Sequence, residues 1–285
     1  MVLDGPGPTL VDPGPASTYP RLVEGLRTLG LSPGDLAHVL LSHIHLDHAG
    51  ATGHLVAANP DLRVLVHEDG APHLVNPERL VRSTARNFGP RSDALWGDPV
   101  PVPETAIQAW RPGIPAEVPG ISAETSLVRV LASPGHIDHH LAFQLESDGT
   151  LLAGDAMGII LAPHGPVHPP TPPPTLDFRA WTGTLEGWAD LDVPSFVATH
   201  FGRHERFHDR RTELLEALQA LEHRVTEAMA RDEAGDEAAR AYEAEVVARM
   251  SAQGEEERVR RYFQTFGPAI EWHGAVLHLE RRARR

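Results

Sequence analysis

The chain of 285 residues contains no cysteine, which removes disulfides, thiolate nucleophiles and sulfur-ligated zinc or iron–sulfur sites together. It contains no lysine either, its 25 basic residues all being arginine, so lysine-based chemistry is excluded. Acidic residues number 39 and the formal net charge is -14, a balance that argues against general nucleic-acid binding. Long hydrophobic runs are also missing. No stretch approaches the roughly eighteen apolar residues of a membrane span, and the opening MVLDGPGPTLVDPGPASTYP lacks the basic start and apolar core of a secretion signal. The expectation is a soluble, cytoplasmic protein with a small-molecule substrate and neither a membrane nor a nucleic acid as partner. What the chain has in quantity is histidine, 18 residues, so any metal rests on His, Asp or Glu. With 41% hydrophobic residues, it can build a substantial core.

Apolar patterning predicts alternating strands and helices, hence an α/β architecture. A short run closes at Leu10-Val11, followed by the turn Asp12-Pro13-Gly14-Pro15 and by Ser17 or Thr18 as a helix N-cap. Leu22, Val23, Leu26 and Leu29 then share one helical face. Val39-Leu40-Leu41-Ser42 reads as a buried strand delivering the chain into His43. A helix over about 50 to 58, a strand over 63 to 67, helical segments from 70 to 97 and strands at 127–132, 140–146 and 151–153 follow. The Pro-rich stretches Pro99 to Pro119 and Pro163 to Pro174 read as loops, the second either a wall of the substrate cleft or a stiff connector. Leu214, Leu218, Leu221, Val225 and Met229 keep a helical period, with further helices expected over 236–250, 255–266 and 269–282. The organisation expected is a catalytic domain over 1–206 and a helical C-terminal extension over 207–285, ending in the solvated tail Arg281-Arg282-Ala283-Arg284-Arg285.

The densest chemical signal is Ser42-His43-Ile44-His45-Leu46-Asp47-His48, four potential metal ligands within six residues at the end of a strand. In an extended chain His43 and His45 point the same way, and Asp47 and His48 turn toward a neighbouring point as a helix begins. Two adjacent metal positions follow. Imidazole suits zinc, iron or nickel, and the carboxylate admits manganese. Three more candidates each end an apolar run: His136 after Leu127 to Leu131, Asp155 after Leu152-Ala153-Gly154, and His200 after Phe196-Val197-Ala198-Thr199. Strand ends gathered at one sheet edge are where α/β folds place their sites.

The ordered set His43-x-His45-x-Asp47-His48, then His136, Asp155 and His200, resembles the metallo-β-lactamase superfamily over about residues 9 to 205. The resemblance implies an αβ/βα four-layer sandwich, with two sheets face to face, helices outside and a dinuclear site along one edge. It further implies that His43, His45 and His136 hold one ion, Asp47, His48 and His200 the second, and that Asp155 bridges them. The ions are most simply zinc, with manganese or iron suited as well. Asp12 matches a family aspartate that braces the site, with an ordinary turn residue as the alternative. Pro134 to Phe143, the Pro run after Asp155 and Thr199-His200-Phe201-Gly202 look like a branch of glyoxalase II-like hydrolases. Relatives also carry two strands before the segment that here begins at Met1, so the expectation is either a first sheet without its usual edge or a true start upstream of the recorded one.

The activity implied is hydrolysis by a metal-bridging hydroxide of a small ester-like substrate, thioester or lactone first, with phosphodiester or amide next. Asp47 is the candidate for orienting the attacking group or moving a proton, and His140 and Arg203 are the further catalytic candidates. His204, His164 and His168 lie near ligands in sequence. His54 and His67 are weaker, and His38, His73, His208, His223, His273 and His278 read as surface or helix residues. Of the tyrosines Tyr19, Tyr242 and Tyr262, none adjoins a ligand in sequence. Tyr262, Phe263, Phe266 and Trp272 are candidates for a substrate pocket or a homodimer interface. The rival reading is a mononuclear iron oxidoreductase of the sulfur dioxygenase kind using His43, His136 and Asp155. A nuclease and a binding protein with structural metal stand behind it. A flavodiiron protein is disfavoured because His45 is present where that type carries Glu.

Overall fold

The structure, a computed structural model, describes residues 1–3, 7–113, 128–252 and 255–284. Two compact units are formed, Met1–Leu131 and Ala132–Arg285. The sheet of the first unit runs β1 (Val2–Leu3), β2 (Thr9–Val11), β3 (His38–Leu40), β4 (Arg63–His67) and β5 (Ile107–Trp110) in that spatial order. β2 to β5 are parallel, and β1 is antiparallel to β2. Parallel strands are covered on both faces, and every residue of β2 and β3 is buried, the polar Thr9 and His38 included. The register sets Leu10 beside Val39 and Val39 beside Val64. These three join Leu41, Leu55, Leu62 and Val66 in one core cluster, where burying each side chain contributes about 1.5–3 kcal/mol.

Several local expectations change in this unit. Thr18 does occupy the N-cap of the helix Tyr19–Thr28 but makes no side-chain cap; its hydroxyl donates to the Pro15 carbonyl at 3.1 Å. On that helix Leu26 is buried whereas Leu29 is exposed, because Leu29 already lies past the last turn. The Pro99 to Pro119 stretch is not all loop: Ile107–Trp110 pairs in parallel with β4, and residues 114–119 lie outside the described residues. His38, read from sequence as a surface or helix residue, is a buried member of β3, with its Nδ1 3.5 Å from the Thr9 hydroxyl.

The second sheet runs β6 (Val128–Ala132), β7 (Leu141–Leu145), β8 (Leu151–Gly154), β9 (Phe196–Ala198) and β10 (Gly202–His204), adjacent in that order. The division between the units falls within β6, and Leu127, expected to open that strand, lies outside the described residues. β7 and β8 are antiparallel, as are β9 and β10, while β8 and β9 are parallel. A parallel pair needs a crossover. The one here holds the Pro-rich segment and the helix Phe178–Gly187, capped by the Asp177 carboxylate, which accepts from the Ala180 amide at 2.9 Å. The Pro163 to Pro174 segment is irregular as expected, yet much of it is buried, Val167 to Thr171 included.

Helices Phe207–Ala230, Asp236–Ser251, Glu256–Thr265 and Pro268–Ala283 complete the second unit, in keeping with the sequence periodicity. Leu214, Leu218, Leu221 and Val225 form the buried stripe of the first of them. These helices lie in the same compact unit as the second sheet. Arg285 of the basic tail lies outside the described residues. No helix among the described residues is long and apolar enough to cross a membrane.

Candidate metal centre

The donors of the first unit sit where β3 gives way to a short helix, Leu46–Ala49. The chain leaves the sheet extended, so His43 and His45 lie on one side, with His43 Nε2 2.8 Å from His45 Nδ1. Asp12, directly after β2, has a positive φ of 46°. Its Oδ1 accepts the Ser42 amide and its Oδ2 the Ser42 hydroxyl, both at 2.8 Å. Oδ2 also lies 3.0 Å from His48 Nδ1. Because the Ser42 hydroxyl donates to Asp12, its oxygen is left to accept from His43 Nδ1, 3.0 Å away. Burial pushes the Asp12 carboxyl up, but attraction to His48 and the hydrogen bonds from His48 and Ser42 outweigh it, so it lies below the usual carboxylate value.

The donors of the second unit come from three separate strand ends. β6 runs into Ser133-Pro134-Gly135-His136, and Gly135 takes a φ of 147° with Trp181 against it: a Cβ there would lie 2.2 Å from the Trp181 Cβ. Only glycine fits this approach. Trp181, itself tied to the Ala156 carbonyl at 2.9 Å, meets the His136 ring edge-on at 5.8 Å. His136 Nδ1 lies 2.9 Å from the Pro170 carbonyl. Asp155 follows β8, and its amide donates to His140 Nε2 at 3.1 Å. His200 occupies the tip of the β9–β10 hairpin, between the paired residues Ala198 and Gly202. One Asp155 oxygen lies 3.3 Å from His136 Nε2 and the other 3.5 Å from His200 Nε2.

Proton accounting shows what these rings can do. A carbonyl and a carboxylate only accept, so His136 and His48 each donate from Nδ1 and, when neutral, carry a lone pair on Nε2. His43 has the same assignment through Ser42. Three rings thus present Nε2 as a base, and ligating histidines are typically held this way, the other nitrogen donating to a carboxylate or a carbonyl. Spacing agrees. Two donors on one tetrahedral zinc lie about 3.3–3.4 Å apart, from bonds of about 2.0–2.1 Å. The His136–Asp155, His200–Asp155 and His48–Asp47 pairs lie at 3.3, 3.5 and 3.5 Å. His43 and His45 are somewhat closer. Each set therefore fits divalent cations.

The remaining candidates separate clearly. His140 is buried with both nitrogens engaged, since Nε2 accepts from Asp155 and Nδ1 lies 2.7 Å from the Ser133 hydroxyl. That geometry serves to hold Asp155. The Arg203 side chain is 62% exposed, on β10, and lies 3.8 Å from Asp148. His204 is buried against Phe196 at 5.5 Å, and burial followed by repulsion from Arg210 holds its pKa down. His164 is exposed. His54 stacks on Tyr19 at 5.2 Å, and His67 Nδ1 accepts the Asp69 amide at 3.2 Å. Tyr262 and Phe266 pack against the His200 ring at 5.5 and 5.6 Å. Sequence reasoning assigned no role to Ser42, Ser133 or the Pro170 carbonyl. The two serines adjoin ligand motifs and were legible as such; a main-chain acceptor 34 residues from its histidine leaves no sequence signal.

Fold and side chains together define an α/β protein with candidate metal donors in each of its two units. The family model of the metallo-beta-lactamase superfamily matches residues 1–200, a span that includes every one of these donors, and the chain belongs to that superfamily. Among curated relatives it is 27% identical over 142 residues to the lactamase-like protein adaB of Aspergillus niger, covering 50% of this chain and 32% of that one. It is 48% identical over 49 residues to the N-acyl homoserine lactonase AiiB of Agrobacterium fabrum, covering 17% and 16%. The matches thus span a third or less of those relatives' length. Among solved structures, a metallo-beta-lactamase family protein of Thermus thermophilus superposes with a TM-score of 0.62 at 24% identity, covering 99% of this chain and 88% of that one. A protein solved in a di-iron-bound form, TTHA1623, gives a TM-score of 0.54 at 24% identity over 75% and 92% of the chains. At such identities the likeness speaks for the fold alone.

Proposed function

We propose that this protein is a dinuclear metal-dependent hydrolase of small ester-like substrates, thioester or lactone first and phosphodiester or amide next. In this reading the donors are His43, His45, Asp47 and His48 of the first unit and His136, Asp155 and His200 of the second. His43, His45 and His136 would hold one ion, Asp47, His48 and His200 the other, with Asp155 available to both. Zinc suits the set best, with manganese or iron also accommodated. When bound, two such ions supply a water acidic enough to ionise near neutral pH and an electrophile for the scissile carbonyl or phosphoryl oxygen. The protein's own residues do the rest. Asp47, only partly buried, takes the proton of the attacking water or returns it to the leaving group. Ser133 and His140 hold the Asp155 amide, and Tyr262 and Phe266 offer an apolar wall beside His200 for the acyl part of the substrate.

The observation that carries this reading is the shared contact of His43, His48 and His136, whose Nδ1 atoms lie at 2.9–3.0 Å from oxygens of Ser42, Asp12 and Pro170. The short, highly similar segment shared with a named lactonase favours lactones within the ester class. The test is elemental analysis of protein purified without chelator or affinity metal, beside His200→Ala. Two ions per chain, falling toward one in the variant, are expected, and would direct screening to thioesters, lactones and phosphodiesters. A single iron indifferent to His200 would overturn the assignment in favour of a mononuclear iron dioxygenase.

A further inference from the structure

Behind the Pro-rich segment lies a buried polar cluster that the proposed reaction does not use. His168 Nε2 sits 2.6 Å from Glu271 Oε2, and Arg249 approaches His168 Nδ1 at 3.1 Å. His168 and Glu271 are both almost wholly buried. Arginine only donates, so His168 accepts at Nδ1 and donates from Nε2 to the Glu271 carboxylate. The imidazole thus lies between a guanidinium and a carboxylate, which satisfies both charges inside the protein. Tyr242 and Phe263 close the ring of neighbours, 6.4 and 5.6 Å from the His168 ring, and burial, with the charge of Glu271 behind it, drives the Tyr242 phenol far up.

A second contact joins the same two segments. The Thr171 hydroxyl donates to the Glu271 carbonyl at 3.2 Å. One turn further along the helix Pro268–Ala283, a Cβ on Gly274 would lie 2.0 Å from the Thr171 oxygen and 2.8 Å from the Pro173 nitrogen. The helix therefore presses on residues 171–173 at main-chain distance while Glu271 grips His168. Between these two grips stands Pro170, whose carbonyl accepts His136 Nδ1–H.

We propose that the helix Pro268–Ala283, through Glu271 and Gly274, is the positioning element for His136: it fixes the Pro170 carbonyl and thereby the tautomer and aim of a metal-binding ring 135 residues earlier in the chain than Glu271. The inference rests on the dinuclear reading above. Glu271, His168 and Gly274 touch neither substrate nor ion in this scheme; they act through the loop. Partners of this outer kind typically contribute about 10–100-fold to metal affinity.

The test uses the full chain with Glu271→Gln, which keeps the shape and removes the charge, and Gly274→Ala, which keeps all polar groups and moves the loop. Zinc affinity is measured by competition with a chromophoric chelator, and the visible spectrum is recorded after cobalt substitution, with the melting temperature of the metal-free protein alongside. The expected result is a loss of about tenfold or more in affinity for one of two ions in both variants, an altered cobalt spectrum for that ion, and the other ion bound as in wild type. His200→Ala should lose the opposite ion. Wild-type protein holding two ions while both variants match it in affinity and spectrum, whatever their melting temperatures, would overturn this proposal alone. Wild-type protein holding no ion would overturn the dinuclear reading and this one with it.

Discussion

The two donor sets are built on opposite plans. In the first unit, His43, His45, Asp47 and His48 lie within six residues and are aimed by one strand end, with a single carboxylate, Asp12, tying Ser42 and His48 together. In the second unit, His136, Asp155 and His200 come from three strands, and each needs its own support: Pro170 for His136, His140 for Asp155, a hairpin tip for His200. A contiguous set draws its geometry from local backbone conformation, so it tolerates change elsewhere. A dispersed set inherits its geometry from sheet register and loop packing, so substitutions well away from it are felt there.

The largest effect expected from this contrast is at Asp155. Its two oxygens face two different imidazoles, so Asp155→Ala should bring metal content from two ions toward none. Loss of a single-donor residue of the contiguous motif, as in His45→Ala, should cost one ion. Equal losses in the two variants, measured by elemental analysis, would erase the distinction.

An intermediate effect is expected at Asp12. Its carboxyl is held below the ordinary value of 3.8 despite burial, so by linkage its stabilisation is complete above that value and is lost as pH falls through the lower folded one. Asp12→Asn should therefore lower the melting temperature of the metal-free protein at pH 7 and narrow its gap to wild type as the pH drops below about 3.8. Zinc affinity at the His48 site should fall about 10–100-fold. A gap that stays constant from pH 7 to pH 3 would show that the carboxylate charge is not what braces His48. The smallest effect is expected at Arg203, whose exposed guanidinium faces Asp148 across 3.8 Å, a pair weakened by solvent. Arg203→Ala should leave metal content and melting temperature unchanged; a lost ion would place Arg203 in the machinery.

The same contrast explains what could be read from sequence. The contiguous motif and the apolar runs ahead of His136, Asp155 and His200 marked these residues as candidate donors, and a resemblance supplied the grouping proposed for them. Helical period without proline revealed the C-terminal helices to within a few residues. β5 escaped notice because its four residues lie among prolines, and its pairing with β4 is decided by tertiary packing rather than by local propensity. His38 was misplaced because a histidine in a short strand reads as polar, while the parallel sheet covers it on both faces. The His168–Glu271 contact, which joins residues 103 apart, has no periodicity to betray it.

The supports behind the donor rings bear on how such a centre is altered over generations. His48 leans on a side chain, the Asp12 carboxylate, whereas His136 leans on the peptide carbonyl of Pro170. A single codon change can exchange the first support for an amide, a hydroxyl or a methyl group, grading the basicity of His48 in small steps. No codon change at position 170 deletes a carbonyl. The His136 support is thus inherited with the loop itself, and variation reaches it only by repacking what holds that loop in place.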